Sequence, residues 1–533
     1  MNRRTPDVVA TTKGAVRGLR GDGTTAFLGV PYAAPPLGAA RFAAPRPHDP
    51  WDGVRDATAP GPTAPQAGRR LGNVDMSPYF GPGWVRGEDF LTVDVWTPET
   101  GGARLPVMVF VHGGGFVAGS TRSEIYDGAA FARDGVVLVT LNYRLGIPGF
   151  LHLPGAPGNR GLLDVLAALR WVRENIAAFG GDPGNVTLSG QSAGATIVGA
   201  VLADPAAEGL FRRAIVQSGS GLGAFTTEQA ARVTRAAARA LGIEAHADAF
   251  AGVPDERLVE VMPELSGIDL RTATHGDPLI GLSPFSVVLD RQPADAVAAG
   301  RGAGVDLLAG TNTEEGNLYL APFGSLSTST AADVHAAAAR SHPDPGRLVE
   351  TYRRSRPGAS HGELRSAIMG DALFGTGTHR LADAHAAQAA RPRRAHASQP
   401  AHADLAAAGP AHAATYRYSF AWRSNALNGE LGAAHAVELP FVFDATALPG
   451  LRGPAALLGT AEPPADLAPA CTPPGCPSPA PATPAGPATT PPAAPPCASA
   501  PTGPWWTTRT ARNAEPGSRP GRPSGQERAG PLT

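Results

Sequence analysis

Short apolar runs alternate with longer amphipathic stretches between about residues 105 and 310. The runs at 107–111 and 136–140 are continuously apolar, which is typical of parallel strands covered on both faces. Leucines at three- and four-residue steps predict a helix over 161–179. Further strands are predicted at 185–190, 211–219, 305–310 and 415–420. This alternation predicts an α/β fold, an open and mostly parallel central sheet with helices on both faces.

The pattern ends abruptly near residue 469. Between Ala470 and Pro504 there is no charged residue and no Leu, Ile, Val, Met or aromatic residue. Such a segment cannot bury enough apolar surface to offset its ordering entropy. We therefore predict one folded domain over 1–468 and a disordered Pro/Ala-rich tail over 469–533. All three cysteines lie in this tail, at Cys471, Cys476 and Cys497.

The charge balance argues against nucleic acid and against an anionic membrane surface as partners. The chain has 45 basic and 46 acidic residues, a net charge of −1, without a long run of one sign. Neither a signal peptide nor a run long enough to span a membrane is found. With no cysteine before the tail, disulfides are not expected, and a cytoplasmic protein acting on small molecules is predicted. The sequence does not indicate an oligomeric state.

The sequence GQSAG at 190–194 makes Ser192 a candidate nucleophile. It lies between a predicted strand and a predicted helix, the context of a nucleophile elbow, and its glycines leave room for a sharp turn. A glycine-rich strand–helix loop without chemistry is the alternative. The sequence HGGGF at 112–116 follows another predicted strand, and its backbone amides, with that of Ala193, can form an oxyanion hole.

A hydrolytic triad also needs an acid and a base further along the chain. Glu315 follows the predicted strand at 305–310, at the end where open α/β sheets place their sites, and Glu314 is its competitor. His435 follows the predicted strand at 415–420 and precedes an apolar run. The order Ser192, Glu315, His435 is that of the α/β-hydrolase fold.

Five other histidines fall in an Ala-rich stretch at about 380–413 that is predicted to be a loop or a surface helix. Their spacing shows no ordered ligand pattern, so they are expected to be solvated and no metal site is predicted. They are His379, His385, His396, His402 and His412.

The motifs together resemble the type-B carboxylesterases, which include the cholinesterases and bacterial para-nitrobenzyl esterases. The resemblance covers about residues 8–460. It is carried by FLGVPYAAPPLGAARFAAP (27–45), EDFLTVDVWTP (88–98), NYRLGIPGFL (142–151), NIAAFGGDPGNVTLSGQSAGA (175–195), FRRAIVQSGS (211–220) and HAVELPFVF (435–443). It implies a Ser192–His435–Glu315 triad, an oxyanion hole formed by Gly114, Gly115 and Ala193, and Ser218 as a partner of the acid. It implies no metal and no cofactor.

Three departures from the family matter. Phe90 stands where many relatives carry a disulfide cysteine. Gln191 stands where cholinesterases carry Glu, so a cationic choline ester is not the expected substrate. The tail replaces the helical sequence with which the family continues, and its composition favours a frame-shifted reading of a high-GC gene; resequencing the gene would test this.

The sequence thus predicts a serine hydrolase that cleaves small-molecule carboxylic esters through an acyl-enzyme. Two alternatives remain open at this point. One is an esterase impaired by the altered C-terminal region, and the other is a non-catalytic binding protein of the same family. The same triad chemistry would also serve amides, carbamates or lactones.

Overall fold

The structure of the chain is a computed structural model that describes residues 5–21, 23–389, 413–465, 467 and 509–510. Its strands form one sheet, and in the described residues they are β1 Thr5–Ala10, β2 Ala15–Gly21, β3 Thr24–Pro31, β4 Val54–Asp56, β5 Thr92–Thr97, β6 Leu105–Val111, β7 Val137–Leu141, β8 Gly181–Gln191, β9 Arg213–Gln217, β10 Asp306–Asn312, β11 Thr415–Phe420 and β12 Arg509–Thr510.

The strand order is β1-β2-β3-β5-β7-β6-β8-β9-β10-β11-β12, and β4 pairs with β2. From β7 to β11 every neighbouring pair is parallel. The N-terminal strands β1, β2, β3 and β5 add antiparallel pairs on one side, and β12 pairs antiparallel with β11 on the other. The predicted mostly parallel sheet is confirmed for its central part, which carries the loops of the site.

The helices connect and cover these strands. They are α1 Ser77–Phe80, α2 Ala129–Arg133, α3 Gly146–Phe150, α4 Arg160–Asn175, α5 Ala193–Ala203, α6 Thr227–Leu241, α7 Ala247–Ala251, α8 Asp255–Glu260, α9 Pro293–Ala298, α10 Ala331–Ser341, α11 Pro345–Ser355, α12 His361–Gly370, α13 Thr376–Ala389 and α14 Leu439–Val442. A π-helical turn, Asp371–Gly375, joins α12 to α13.

Both faces of the central sheet are buried, which explains the continuous apolar runs in the sequence. Along β6, Val107 and Val109 belong to one hydrophobic cluster, whereas Met108 and Phe110 belong to a second cluster on the opposite face. Successive side chains of a strand point to opposite faces, so a strand covered on both sides has no polar position to alternate with.

Predicted and observed elements differ in a few places. The predicted helix at 161–179 is α4, which ends at Asn175 and continues as a 3₁₀ turn, Ile176–Phe179. His385 was expected to be solvated, and this was wrong. It lies in α13 with 2% of its surface exposed, and its Nδ1 pairs with Thr415 Oγ1 at 2.7 Å. His379 is exposed as expected.

The remaining histidines of the Ala-rich stretch, His396, His402 and His412, lie outside the described residues. So does the tail, except for β12, which adds two residues to the edge of the sheet beside β11. Its predicted disorder and frame-shifted origin stay predictions.

Candidate active site

Ser192 occupies a sharp turn between β8 and α5. Its backbone has φ +58° and ψ −124°, a conformation that is costly for a residue with a side chain. The turn is tight because Gly194 packs against β6: a Cβ at Gly194 would come within 2.1 Å of the Val111 carbonyl oxygen. The Ser192 amide donates to the Gln217 carbonyl at 2.9 Å and thereby ties the turn to β9. The predicted strand–serine–helix context is therefore present.

The glycine loop after β6 lies beside this turn. Gly114 and Gly115 have φ of +118° and +65°, which a residue with a Cβ rarely adopts. Neither amide donates a hydrogen bond to any residue that the structure describes. Ala193 is the first residue of α5, where backbone amides lack intrahelical partners. These three residues line one pocket together with Ser192.

Glu315 and His435 are in direct contact. His435 Nδ1 donates to Glu315 Oε2 at 2.6 Å, and both side chains are only 4% exposed. Glu315 begins a 3₁₀ turn just after β10. Its competitor Glu314 points elsewhere, because it pairs with Arg423 and accepts a hydrogen bond from the Ala433 amide. The geometry therefore brings Glu315, and not Glu314, to the histidine.

The other oxygen of Glu315 is held by two donors. Ser218 Oγ donates to Glu315 Oε1 at 2.5 Å, and the backbone amide of Asn312 donates to the same oxygen at 2.7 Å. Ser218 follows β9 with φ +51°, which aims its side chain across the strand ends. With one oxygen fixed by these bonds, Glu315 presents the other to His435.

Gln191, directly before Ser192, connects His435 to Tyr79. The Tyr79 hydroxyl donates to Gln191 Oε1 at 2.7 Å, and the Gln191 amide nitrogen lies 3.2 Å from His435 Nε2. An amide nitrogen only donates, so His435 Nε2 accepts and carries a free electron pair. The imidazole proton therefore lies on Nδ1, facing Glu315.

An aromatic ring fixes the plane of the imidazole. Phe374 stacks on His435 with ring centroids 4.3 Å apart and an interplanar angle of 7°. Phe374 lies in the π-helical turn between α12 and α13, and such turns are frequent at functional sites. No sequence motif marked this residue.

A second buried carboxyl lies beside the Glu315–His435 pair. Glu438 is fully buried, and its Oε2 accepts from the Asn312 side chain at 2.6 Å. Burial, followed by the neighbouring charge of Glu315, raises the pKa of Glu438 to about 7. Sequence reasoning missed Asn312 and Glu438, although they lie three residues before Glu315 and three residues after His435.

The pocket above Ser192 has a volume of about 720 Å³, open solvent at its mouth included. Its wall is mainly apolar, with Leu71, Phe80 and Leu318 among the lining side chains. His112, at the start of the glycine loop, is buried just behind, and burial lowers its pKa to about 4. A concave, mainly apolar pocket beside a few converging polar groups suits a small organic molecule.

Within the described ranges, no group of three or more His, Cys, Asp or Glu side chains could hold a metal ion. In the same part of the chain, no helix is long and apolar enough to cross a membrane.

Comparisons with known proteins identify the family of the chain. The Carboxylesterase family model matches residues 5–454. The chain is similar to the para-nitrobenzyl esterase of Bacillus subtilis (strain 168), with 38% identity over 446 residues, which are 82% of this chain and 83% of that one. It is 34% identical to the phenmedipham hydrolase of Pseudarthrobacter oxydans, over the same shares of the two chains. A solved carboxylesterase of Geobacillus stearothermophilus gives a TM-score of 0.68 at 35% identity, covering 83% of this chain and 85% of that one.

The sheet, its covering helices and these similar structures define an α/β-hydrolase. The chain belongs to the carboxylesterase family and is a carboxylic-ester hydrolase.

Proposed function

We propose that the chain hydrolyses small carboxylic esters through an acyl-enzyme formed on Ser192. His435 acts as general base and acid, Glu315 orients it, and the amides of Gly114, Gly115 and Ala193 bind the oxyanion. The observation that carries the proposal is the hydrogen bond from His435 Nδ1 to Glu315, because it leaves Nε2 unprotonated beside the serine turn.

In the first half-reaction, Ser192 Oγ attacks the ester carbonyl while His435 Nε2 takes its proton. The carbonyl oxygen becomes negative and is stabilised by amides that the fold already holds in place, so little reorganisation is needed. The imidazolium then protonates the departing alcohol. Water, activated by the same nitrogen, repeats these steps on the acyl-enzyme and releases the acid.

Two further residues support His435. Ser218 holds Glu315 by its hydrogen bond, so that the carboxylate keeps its position while the imidazole gains and loses a proton. The side-chain amide of Gln191 donates a hydrogen bond to His435 Nε2 and so holds the imidazole in place before Ser192 and the substrate contact that nitrogen. These are positioning residues, since they act through the acid and the base.

The first prediction concerns Ser192→Ala. We expect kcat for 4-nitrophenyl acetate to fall by about 10⁶-fold, to the background of the assay, because the acyl-enzyme cannot form. Stopped-flow release of 4-nitrophenol and labelling by a fluorophosphonate probe measure the loss.

The matched control is Ser266→Ala, which removes a hydroxyl from an exposed residue that does not line the pocket. This variant should keep kcat/KM within about three-fold of the parent, as expected for a side chain remote from the chemistry. Substantial hydrolysis by Ser192→Ala would overturn the proposed role of Ser192. A folded parent chain that labels but does not turn over would favour the impaired esterase instead.

A further inference from the structure

The catalytic pocket has one permanently charged side chain in its wall. Of the described residues that line the pocket, Arg69 is the only Arg or Lys, and none is Asp or Glu. Arg69 lies in the loop before α1 and faces the same space as Ser192 and His435. The wall of this pocket is therefore cationic on one side and apolar on most of the remainder.

Arg69 has no acidic partner among the described residues. Its Nη1 donates to the Gly114 carbonyl oxygen at 2.9 Å, and its guanidinium lies 5.3 Å from the centre of the Phe80 ring. No described carboxylate comes within 4.0 Å of it, and its Nε and Nη2 donate no hydrogen bond to any described residue. Removal from water lowers the pKa of Arg69, an effect that the nearby phenols of Tyr319 and Tyr79 partly offset.

Arg69 is half-buried, and a half-buried guanidinium with unused donors in a pocket wall is suited to bind an anion. Taking a guanidinium out of water is costly unless a partner of opposite charge compensates, and its planar fork of N–H donors fits a carboxylate in two parallel hydrogen bonds. Elsewhere in this protein the buried Arg144 has such a partner, because Asp164 binds it with both oxygens. Arg69 has unused donors instead, and it lies in the pocket where the substrate binds.

The bond to Gly114 locates where an anion would lie. Arg69 Nη1 would be 3.1 Å from a Cβ placed on Gly115, so the guanidinium borders the glycine loop. A carboxylate bound there would lie close to the reacting carbonyl. Gln191 is neutral, so no carboxylate next to Ser192 in the chain would repel such a substrate.

We propose that Arg69 is a specificity-determining residue and that the preferred substrates are esters carrying a carboxylate near the scissile bond. This inference rests on the proposed ester hydrolysis at Ser192. The carboxylate belongs either to the acyl part or to the alcohol part of the ester, and both bring the same group to the guanidinium.

Two matched pairs of substrates test the proposal. For the acyl side, the mono-4-nitrophenyl ester of adipic acid is compared with 4-nitrophenyl hexanoate. For the alcohol side, 4-acetoxybenzoate is compared with 4-acetoxybenzamide. We expect the charged member of at least one pair to have the higher kcat/KM. Its advantage should shrink as NaCl is added, because salt screens the attraction, while the neutral member should respond little.

Variants then assign the preference to Arg69. Arg69→Gln removes the charge and keeps a neutral N–H donor at this position. We expect its kcat/KM for the charged ester to fall by about ten-fold or more, and its kcat/KM for the matched neutral ester to fall by less than about three-fold. Arg70→Gln is the control: it removes the same charge from the next residue, which is exposed, and should leave both rates unchanged.

Three results would overturn the proposal. The parent chain could hydrolyse neutral esters without preferring either charged partner. Arg69→Gln could slow both members of a pair equally, which would mean that Arg69 acts only by holding the Gly114 loop. A parent chain that hydrolyses none of the four esters would instead overturn the proposed function and this inference with it. If Arg69→Gln does not fold, the salt dependence of the parent decides the question.

Discussion

Gln191 is the residue that contacts the candidate base at Nε2, the nitrogen that would take the proton of Ser192. It receives a hydrogen bond from Tyr79 on one side of its amide and donates toward His435 Nε2 on the other. A carboxylate in this place could not donate, and it would favour a proton on Nε2. A protonated Nε2 cannot accept the proton of Ser192.

We therefore predict that Gln191→Glu moves the acid limb of the kcat/KM profile for 4-nitrophenyl acetate to higher pH, by about one pH unit or more. The direction follows because an opposite charge in contact with the imidazole favours its charged, inactive form. Rates measured from pH 5 to pH 9 give the limb directly.

The control for this change is Tyr79→Phe, which removes the hydroxyl from the other end of the Gln191 amide without adding a charge. Its acid limb should stay within about 0.3 pH units of the parent, a shift typical of a neutral contact. An unchanged profile in Gln191→Glu would show that the amide does not control His435.

At the level of single residues, the sequence predicted those that belong to a motif. Ser192 and the glycine loop could be found because a strand–turn–helix context and adjacent glycines are local features. Glu315 was preferred to its competitor Glu314 from the sequence, although neighbouring residues differ in direction and only the turn after β10 brings Glu315 to His435. Arg69 and Phe374 were missed, since their contacts with Gly114 and His435 join segments far apart in the chain.

Among the elements, α4 and the loop after β7 are joined by a buried ion pair. Arg144 binds both oxygens of Asp164, and the two side chains are 1% and 0% exposed. Arg144 also donates to the carbonyl oxygens of Arg41 and Ala43, which ties the N-terminal segment to the same point. Removing one partner leaves a charge in the interior without compensation.

We predict that Asp164→Asn lowers the free energy of unfolding by about 3–5 kcal/mol. Urea unfolding followed by tryptophan fluorescence measures it. The matched control is Asp269→Asn, which breaks an ion pair with Arg271 whose side chains are 58% and 47% exposed. That change should cost about 1 kcal/mol or less, because water screens an exposed pair. Equal losses in the two variants would contradict the assigned role of burial.

Element prediction succeeded where a strand or helix is long and regular, as in β6 and α4. The antiparallel strands β1, β2 and β3 were not predicted, because their half-exposed positions give no continuous apolar run. The π-helical turn at Asp371–Gly375 could not be predicted either. Its extra residue per turn leaves no mark in a helical pattern, although it places Phe374 on His435.

For the molecule as a whole, the buried carboxyl of Glu438 links stability to pH. Its pKa is raised from 4.5 to about 7, first by burial and then by Glu315, and its Oε1 has no hydrogen-bond partner among the described residues. The native state therefore keeps a proton that the unfolded chain loses. Between pH 4.5 and pH 7, the two pKa values of Glu438, the native state therefore loses stability as pH rises. Above pH 7 the free-energy cost of ionising the buried carboxyl is complete.

Replacing Glu438 by Gln should remove this cost, since the amide is neutral at every pH and can still accept from Asn312. We predict that the parent loses more stability between pH 5 and pH 8 than Glu438→Gln does, and that the difference is about 2–3 kcal/mol. Urea midpoints at the two pH values measure the difference. Glu244→Gln, at an exposed position, is the control and should leave the pH dependence unchanged. If Glu438→Gln and the parent lose stability equally between pH 5 and pH 8, the prediction is wrong. Glu438 would then ionise in the native state without cost, and it would be a carboxylate beside His435 over this pH range.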